Sequence, residues 1–239
     1  MRSILIRVAR SALFSIILLT FLAGCGSSAS NSNGQVTLNL GYFPNLTHAV
    51  ALVGVGRGTF QQELGSKVQL QTQTFNAGPA EVQALLAGSI DIGFAGPSPA
   101  LNGYIQSHGS ALQVIAGASS AGVLFVVRAN ANINSAADLA NKKIADPQKG
   151  GTQDVALRNY LQGHGLKSTE QGGNVQIIST DNASILNLFK EGQIDGAWMP
   201  EPWATRLLVE GNGKVFLNES SLWPGGQFAT TVVVVRQAF

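Results

Sequence analysis

The sequence contains little of what several classes of protein require. Its 239 residues include one cysteine, Cys25, so no disulfide can form within the chain. The three histidines, His48, His108 and His164, lack metal-binding spacing such as His-Glu-x-x-His, and there is no Gly-x-Ser-x-Gly nucleophile elbow. We therefore expect a protein that is not an enzyme and that holds no metal or cofactor.

Long apolar runs are also missing, and the longest lies at the N-terminus. Three arginines precede the run from Ser11 to Ala23, which is shorter than the roughly 18 residues that a spanning helix needs. The following Leu22-Ala23-Gly24-Cys25 resembles a bacterial lipobox. We predict a lipoprotein signal peptide over residues 1–24, lipidation of Cys25, and a flexible tether over residues 25–34.

Loss of that signal peptide would change the charge of the chain. The whole chain has 15 Lys and Arg against 13 Asp and Glu, and three of its arginines lie in the predicted signal peptide. The remaining 12 basic residues form no patch with interleaved aromatics, so nucleic-acid binding is not expected. The expected location is extracytoplasmic, with a lipid anchor in the cell membrane.

What the sequence does contain is an internal repeat. The segment 84–101, ALLAGSIDIGFAGPSPAL, returns in altered form as 187–207, NLFKEGQIDGAWMPEPWATRL. Gly88 and Asp91 recur 104 residues later as Gly192 and Asp195, each between a helical pattern and a short apolar strand. A repeat of this length predicts two α/β lobes of similar plan.

Two similar apolar segments suggest how the lobes are joined. Thr230–Arg236, TTVVVVR, is similar to Leu124–Arg128, LFVVR, and we predict that they lie side by side where the chain crosses between lobes. Lobe 1 is then expected over residues 35–126 and 228–239, and lobe 2 over residues 127–227.

Several motifs, in this order, carry a resemblance to a known family. They are Gly41-Tyr42-Phe43-Pro44-Asn45-Leu46-Thr47-His48, Asn76-Ala77-Gly78-Pro79, Ala87-Gly88-Ser89-Ile90-Asp91, Gly96-Pro97-Ser98-Pro99, Ser135-Ala136-Ala137-Asp138-Leu139 and Trp198-Met199-Pro200-Glu201-Pro202-Trp203. Together they resemble the substrate-binding lipoproteins of the nitrate, taurine and aliphatic-sulfonate group of ABC importers.

The resemblance implies an α/β structure of the type II periplasmic-binding-protein fold, with two three-layer α/β/α lobes joined by two hinge strands. It implies a small anionic solute as ligand and an ABC permease with its ATPase as partners. Family members usually continue with helices that complete lobe 1, whereas this sequence stops at Phe239. We therefore expect that C-terminal helices of lobe 1 are missing from it.

The expected binding site follows from the repeat, because ligands of open α/β sheets bind beyond the carboxyl ends of the strands. Four helix N-termini should face one cleft there, near residues 45–49, 97–101, 152–155 and 202–205, and their free N–H groups suit an oxyanion. The candidate ligand-binding residues are Asn45, Thr47, His48, Gly96, Ser98, Ser119, Ser120, Thr152, Gln153, Trp198, Glu201 and Trp203.

Several of these residues have a second interpretation. The hydroxyls of Ser98 and Thr152 could bind the anion or only cap their helices, and Trp198 could wall the cleft or pack within lobe 2. Glu201 would repel an anion, so it answers an amine of the ligand or complements its helix dipole.

Two other functions stay open. One is a binding protein for a thiamine-related aminopyrimidine, and the other is a sensory lipoprotein that binds a ligand without transport. A monomer is expected, and the type of cell envelope stays open.

Overall fold

The computed structural model describes residues 34–239. The predicted signal peptide, Cys25 and most of the tether lie outside these residues. Within them, no helix has the length and apolar character that crossing a membrane would require.

Over residues 34–239, ten strands carry the fold. They are β1 (Val36–Tyr42), β2 (Val68–Thr74), β3 (Ile92–Ala95), β4 (Leu112–Ser120), β5 (Val123–Arg128), β6 (Lys143–Asp146), β7 (Gln176–Ser179), β8 (Gly196–Pro200), β9 (Gly213–Asn218) and β10 (Ala229–Arg236). Short apolar or alternating segments of the sequence predict nine of these strands, with small differences at their ends. Strand β9 was missed, because its residues Gly213-Lys214-Val215-Phe216-Leu217-Asn218 are short and flanked by polar turns.

The strands form two sheets with the same plan. One sheet has the spatial order β2-β1-β3-β10-β4 and the other β7-β6-β8-β5-β9. In each, two neighbouring strands run parallel and the next one runs antiparallel. This confirms the two-lobe α/β fold predicted from the repeat.

The repeated aspartates have matching roles in the two lobes. Asp91 Oδ2 accepts a hydrogen bond of 2.8 Å from the Asn39 N–H of β1, and Asp195 Oδ2 accepts one of 2.8 Å from the Lys143 N–H of β6. Each carboxylate therefore fixes the strand that begins its lobe's parallel pair.

In the part of the chain that the structure describes, seven α-helices connect and cover the sheets. They are α1 (Ala49–Gly56), α2 (Thr59–Leu64), α3 (Gly78–Leu86), α4 (Pro97–Gln106), α5 (Thr152–Gly163), α6 (Asn182–Lys190) and α7 (Trp203–Glu210). A single helix was expected over residues 49–63, but Gly58 adopts a left-handed conformation with φ of 70° and divides it into α1 and α2.

Helices cover both faces of each sheet, which gives three layers in each lobe. In lobe 2, Leu157 and Leu161 of α5 pack on one face with Phe125 and Trp198. Residues of α6 and α7, including Phe189 and Leu207, pack on the other face. In lobe 1, α3 and α4 cover one face and α1 lies on the opposite face.

The chain crosses between the lobes at two points that lie together. The first crossing follows β4 at Ala121 and Gly122, and the second precedes β10 at Phe228. Ala121 N–H donates to Phe228 O at 3.3 Å, and Thr230 Oγ1 donates to Ala121 O at 2.6 Å.

The predicted pairing of Leu124–Arg128 with Thr230–Arg236 is wrong. Strand β5 pairs with β8 and β9, whereas β10 pairs with β3 and β4. The two segments are alike because they hold equivalent positions in the two sheets. The strand β5, which begins at Val123, lies wholly in the second sheet, so the predicted boundary after residue 126 falls inside it.

Candidate functional site

A small cavity lies between the lobes, where the carboxyl ends of the parallel strands meet. Its volume is about 30 Å³, which is room for one or two water molecules. Lobe 1 contributes residues that follow β1, β2 and β3, and lobe 2 contributes the loop that follows β6. The lining residues are Phe43, Asn45, Thr47, His48, Asn76, Ala77, Gly78, Gly96, Pro99, Pro147, Gln148, Gly151, Thr152, Gln153, Pro200 and Thr230.

The cavity is polar and uncharged. Of the described residues that line it, none is Asp, Glu, Lys or Arg. His48 is buried, and burial lowers its pKa to about 3, so it is neutral near pH 7. Its Nδ1 accepts from the Phe43 N–H at 3.3 Å, and the two rings lie 4.1 Å apart. The lining therefore offers neutral amides, hydroxyls and backbone N–H groups.

Three helices begin at this cavity with their first turn uncapped. The residues before α3, α4 and α5 are Ala77, Gly96 and Gly151, and within residues 34–239 no side chain makes the capping hydrogen bond at any of these ends. Their free N–H groups and the positive ends of their dipoles favour an anion.

The three helices do not contribute equally. In α4, Pro97 and Pro99 have no N–H and Ala100 donates to Gly96 O, so Ser98 is the donor left in the first turn. In α5, the N–H groups of Thr152 and Gln153 remain in the first turn. We therefore expect lobe 2 to supply more of the backbone donors through α5 than lobe 1 supplies through α4.

Among the lining side chains, Thr152 gives the clearest indication that the cavity binds a ligand. Its Oγ1 is buried and, among the described residues, has no hydrogen-bond partner. It lies against Gly96 of the other lobe so closely that a Cβ at position 96 would clash with it. A buried hydroxyl without a partner costs about 1 to 3 kcal/mol, so this position is satisfied only when something else binds there.

Two hydrogen bonds connect the lobes beside the cavity. The Leu46 N–H donates to Glu201 O at 3.0 Å, and Trp203 Nε1 donates to Asn45 Oδ1 at 3.0 Å. Asn45 and Trp203 thus stabilise the contact between the lobes. The Asn45 side chain does not cap the helical turn that follows it.

Other predicted residues lie near the cavity without lining it. Ser119 Oγ donates to Thr47 O at 2.6 Å, and Thr231 Oγ1 donates to the same oxygen at 2.9 Å. These bonds hold the turn that presents Thr47 and His48. Ser119 and Ser120 themselves line a shallow surface groove beside β10, and Ser98 lines a groove between α4 and α5.

Two predictions for lobe 2 need correction. Trp198 is fully buried, stacks on Phe125 at 5.1 Å and donates to Glu219 at 2.6 Å, so it cannot wall the cleft. The Glu201 carboxylate accepts from the N–H and the hydroxyl of Thr205, both at 3.0 Å. Glu201 therefore caps α7. The fourth expected helix N-terminus already has the Glu201 carboxylate as acceptor and is not free for a ligand.

The sequence analysis also missed lining residues. Asn76, Gln148 and Thr230 line the cavity, although none was a candidate. For Asn76 a signal existed, because Asn76-Ala77 directly precedes a helix in one of the motifs that carry the family resemblance. Gln148 and Thr230 lie in a loop and a strand whose orientation depends on tertiary packing.

Asp146 and Asp154 form a buried acidic pair next to the loop with which lobe 2 lines the cavity. Burial raises the pKa of Asp146 to about 7, and the neighbouring Asp154 carboxylate adds to the rise, while Ser179 and Arg158 oppose it. Asp154 accepts from the Gly150 N–H at 2.8 Å and from Arg158 Nε at 2.6 Å. Asp154 therefore anchors the Gly150 end of the loop that presents Pro147, Gln148 and Gly151.

Comparison with solved structures places the fold. The alkanesulfonate-binding protein SsuA from Xanthomonas axonopodis pv. citri, bound to MOPS, matches with a TM-score of 0.69 and 24% identity over 87% of this chain and 68% of that one. The nitrate-binding protein NrtA from Synechocystis PCC 6803 matches with a TM-score of 0.68 and 17% identity over 85% and 56% of the two chains. These likenesses show the periplasmic-binding-protein fold.

Sequence relatives agree with that fold. A Brucella abortus protein named as a binding protein is 37% identical over 164 residues, which are 68% of this chain and 48% of the relative. The taurine-binding periplasmic protein of Escherichia coli is 30% identical over 189 residues, 79% of this chain and 56% of the relative. The chain thus spans about half the length of the curated relatives it matches.

A family model covers all of the part that the structure describes. The model of the NMT1-like family matches residues 31–239. The match includes both sheets and every residue that lines the cavity. By this match the chain belongs to the NMT1-like family.

Proposed function

We propose that this protein is the extracytoplasmic solute-binding component of an ABC importer. It captures a small oxyanion, such as an aliphatic sulfonate, taurine or nitrate, between its two lobes and delivers it to the permease. The observation that carries the proposal is a cavity that, within residues 34–239, has no charged lining residue, has three uncapped helices beginning at it, and buries the Thr152 hydroxyl without a hydrogen-bond partner.

The chemistry of the cavity fits an anion that only accepts hydrogen bonds. Sulfonate and nitrate are ionised at pH 7 and have no proton to donate, and the lining supplies amide, hydroxyl and backbone N–H donors. Because the described residues that line the cavity carry no fixed positive charge, selection acts through donor geometry and helix dipoles.

The expected affinity is consistent with this donor set. Hydrogen bonds to a charged group contribute about 1.5 to 3 kcal/mol each, so four or five supply roughly 6 to 15 kcal/mol. Association costs at least about 4 kcal/mol, which leaves room for micromolar binding at about −8 kcal/mol.

The relatives support the ligand class and the location. Proteins named for taurine and aliphatic sulfonates are among them, and one is named as periplasmic. In this proposal Cys25 carries the lipid anchor. With an enclosed volume of about 30 Å³, the cavity must open for a ligand to enter, which two lobes achieve by hinge motion.

Binding of defined anions tests the proposal. The purified protein is titrated calorimetrically with methanesulfonate, taurine and nitrate, and with ethanolamine, which has the amine of taurine and lacks the sulfonate. Thr152→Val should weaken binding of the preferred anion about tenfold, because a charge-assisted hydrogen bond is lost. Thr205→Val, in the first turn of α7 and away from the cavity, is the matched control and should bind normally.

The result that contradicts the proposal is equally defined. If no oxyanion binds at millimolar concentration, or if ethanolamine binds as well as taurine, the cavity is not an oxyanion site. Binding of an aminopyrimidine in place of every anion would favour the thiamine-related function instead.

A further inference from the structure

A second space lies beside the cavity, between α4 of lobe 1 and α5 of lobe 2. This interlobe groove has a volume of about 260 Å³, and its walls include Leu101, Val155, Asn159, Trp223 and Phe228, with Glu219 at its base. None of the aromatic residues of this groove was a candidate in the sequence analysis.

The interlobe groove and the cavity meet at Thr152, which lines both. Residues that are adjacent in sequence also line different spaces. Gly96 lines the cavity and Pro97 lines the groove, whereas Thr230 lines the cavity and Ala229 lines the groove. The close contact between Gly96 and Thr152 joins opposite lobes. When the lobes separate, that contact opens and the two spaces become one cleft.

The groove presents a rigidly held aromatic surface. The Trp223 ring stacks on Phe228 with centroids 5.6 Å apart and 13° between the planes. Glu219 accepts the indole N–H of Trp198 at 2.6 Å. Burial raises the pKa of Glu219, and the side chains of Trp198 and Trp223 oppose that rise. Trp223 nevertheless stays 48% exposed, so one face of a fixed indole is free.

The other walls are also apolar and open. Leu101 is 60% exposed and Val155 is 45% exposed, although both lie next to the cavity between the lobes. Glu219 is buried and already accepts the indole N–H of Trp198, so it has little capacity to bind an amine and would repel a second anionic group. A neutral apolar group fits this surface best.

We propose that the interlobe groove binds the organic part of the ligand, an aromatic ring, while the anionic group of the same ligand occupies the cavity at Thr152. The inference rests on the proposed function and narrows its substrate class to arylsulfonates and similar ring-bearing anions. Offset stacking on the free face of Trp223 and burial of Leu101 and Val155 supply the preference.

A pair of sulfonates with the same anionic group tests this inference. Methanesulfonate and benzenesulfonate are titrated into the protein by calorimetry. We expect benzenesulfonate to bind at least tenfold more tightly. Trp223→Ala should remove most of that advantage and leave the affinity for methanesulfonate within about twofold, because the anion site is intact.

Two further variants separate contact from folding. Trp223→Phe keeps an aromatic ring and should retain most of the preference for benzenesulfonate. Leu222→Ala changes a neighbouring side chain of similar exposure, 46%, that does not line the groove, and it should bind both sulfonates as the unchanged protein does. Thermal melts of all variants show whether each is folded.

The outcomes distinguish the two proposals. If methanesulfonate binds and benzenesulfonate binds no more tightly, the groove proposal is overturned and the oxyanion site stands. If Trp223→Ala weakens both sulfonates equally, Trp223 acts on lobe closure and the groove proposal is again overturned. If neither sulfonate, taurine nor nitrate binds, the proposed function itself fails.

Discussion

Among the helices that directly follow a strand, those that begin at the cavity differ from those that begin elsewhere. Five helices, α3 to α7, directly follow a strand. Asp181 caps α6 through the Ser184 N–H at 2.9 Å, and Glu201 binds the Thr205 N–H of α7. Within the described part of the chain no side chain caps α3, α4 or α5, and these are the helices at the cavity.

This difference indicates what the fold keeps free for binding. A capping side chain typically contributes about 1 kcal/mol to stability. Small residues at positions 77, 96 and 151 forgo that contribution and leave N–H groups for a ligand. The capped helices α6 and α7 serve packing and lobe contact.

The largest expected effect on ligand affinity comes from a charged side chain that caps one of the helices at the cavity. Ala77→Asp places a carboxylate at the start of α3, where it occupies the free N–H groups and repels the ligand. At about 5 Å and an effective dielectric constant near 20, the repulsion is about 3 kcal/mol. Calorimetry should show at least a 100-fold loss of affinity for the preferred oxyanion.

Ala77→Asn is the isosteric control for that variant. It also caps the helix but adds no charge, so it should lose about 100-fold less affinity than Ala77→Asp. Equal losses for the two variants would mean that filling the cavity, and not charge, prevents binding.

Protonation of His48 gives a second test of the comparison, because we expect the uncharged cavity to disfavour a positive charge on this residue. Burial lowers the pKa of His48 to about 3 from 6.5, so the unfolded chain takes up the proton first as the pH falls. This residue therefore destabilises the fold progressively between about pH 6.5 and pH 3.

The measurement is the difference between the unchanged protein and His48→Asn in urea unfolding at pH 7 and at pH 5. That difference should change by about 2 kcal/mol between the two pH values. The comparison removes the opposing effects of Asp146, Glu81 and Glu219, whose burial raises their pKa values. A constant difference would show that His48 takes up protons normally in the folded protein.

Removing a cap away from the cavity should affect stability alone. Asp181→Ala deletes the acceptor for the Ser184 N–H and is expected to lower the free energy of unfolding by about 1 kcal/mol. Hydrogen bonds from Ser184 lower the pKa of Asp181, so its contribution is present above the unfolded pKa and is lost as the pH falls through the lowered value. Ligand affinity measured by calorimetry should not change, and a loss would contradict the division of roles.

The smallest effect concerns contact between the lobes. Trp203→Phe removes the N–H that binds Asn45 Oδ1 and keeps the ring, which should shift the balance toward separated lobes by about 0.5 kcal/mol. Solution scattering of the ligand-free protein should show a larger radius of gyration. Val209→Ala, at a 79% exposed position of α7, is the control, and equal radii for both variants would contradict a role for this bond.

Much of the fold could be predicted because the pattern is local and repeated. Apolar alternation in Val36–Tyr42 and the repeated Gly-x-x-Asp around Asp91 and Asp195 specify strands and turns within a few residues. The same local reasoning predicted that Thr152 begins a helix after a strand, and strand ends of one sheet meet at one edge.

The role of a side chain could be predicted from the sequence only where its position along the backbone determines that role. Trp198 and Trp203 are five residues apart, yet one is buried in the core of lobe 2 and the other contacts lobe 1. Strand alternation allows either direction for each side chain, and packing against Phe125 and Glu219 selects the buried one for Trp198.

The sequence by itself determined two α/β lobes of equal plan and helix N-termini near residues 97–101 and 152–155. Only the tertiary structure decided which side chains meet across the cleft. Trp203 reaches Asn45 across 158 positions of the chain, and Thr230 binds Ala121 across 109. Contacts of such separation depend on how the two lobes pack, and no local pattern of residues specifies that.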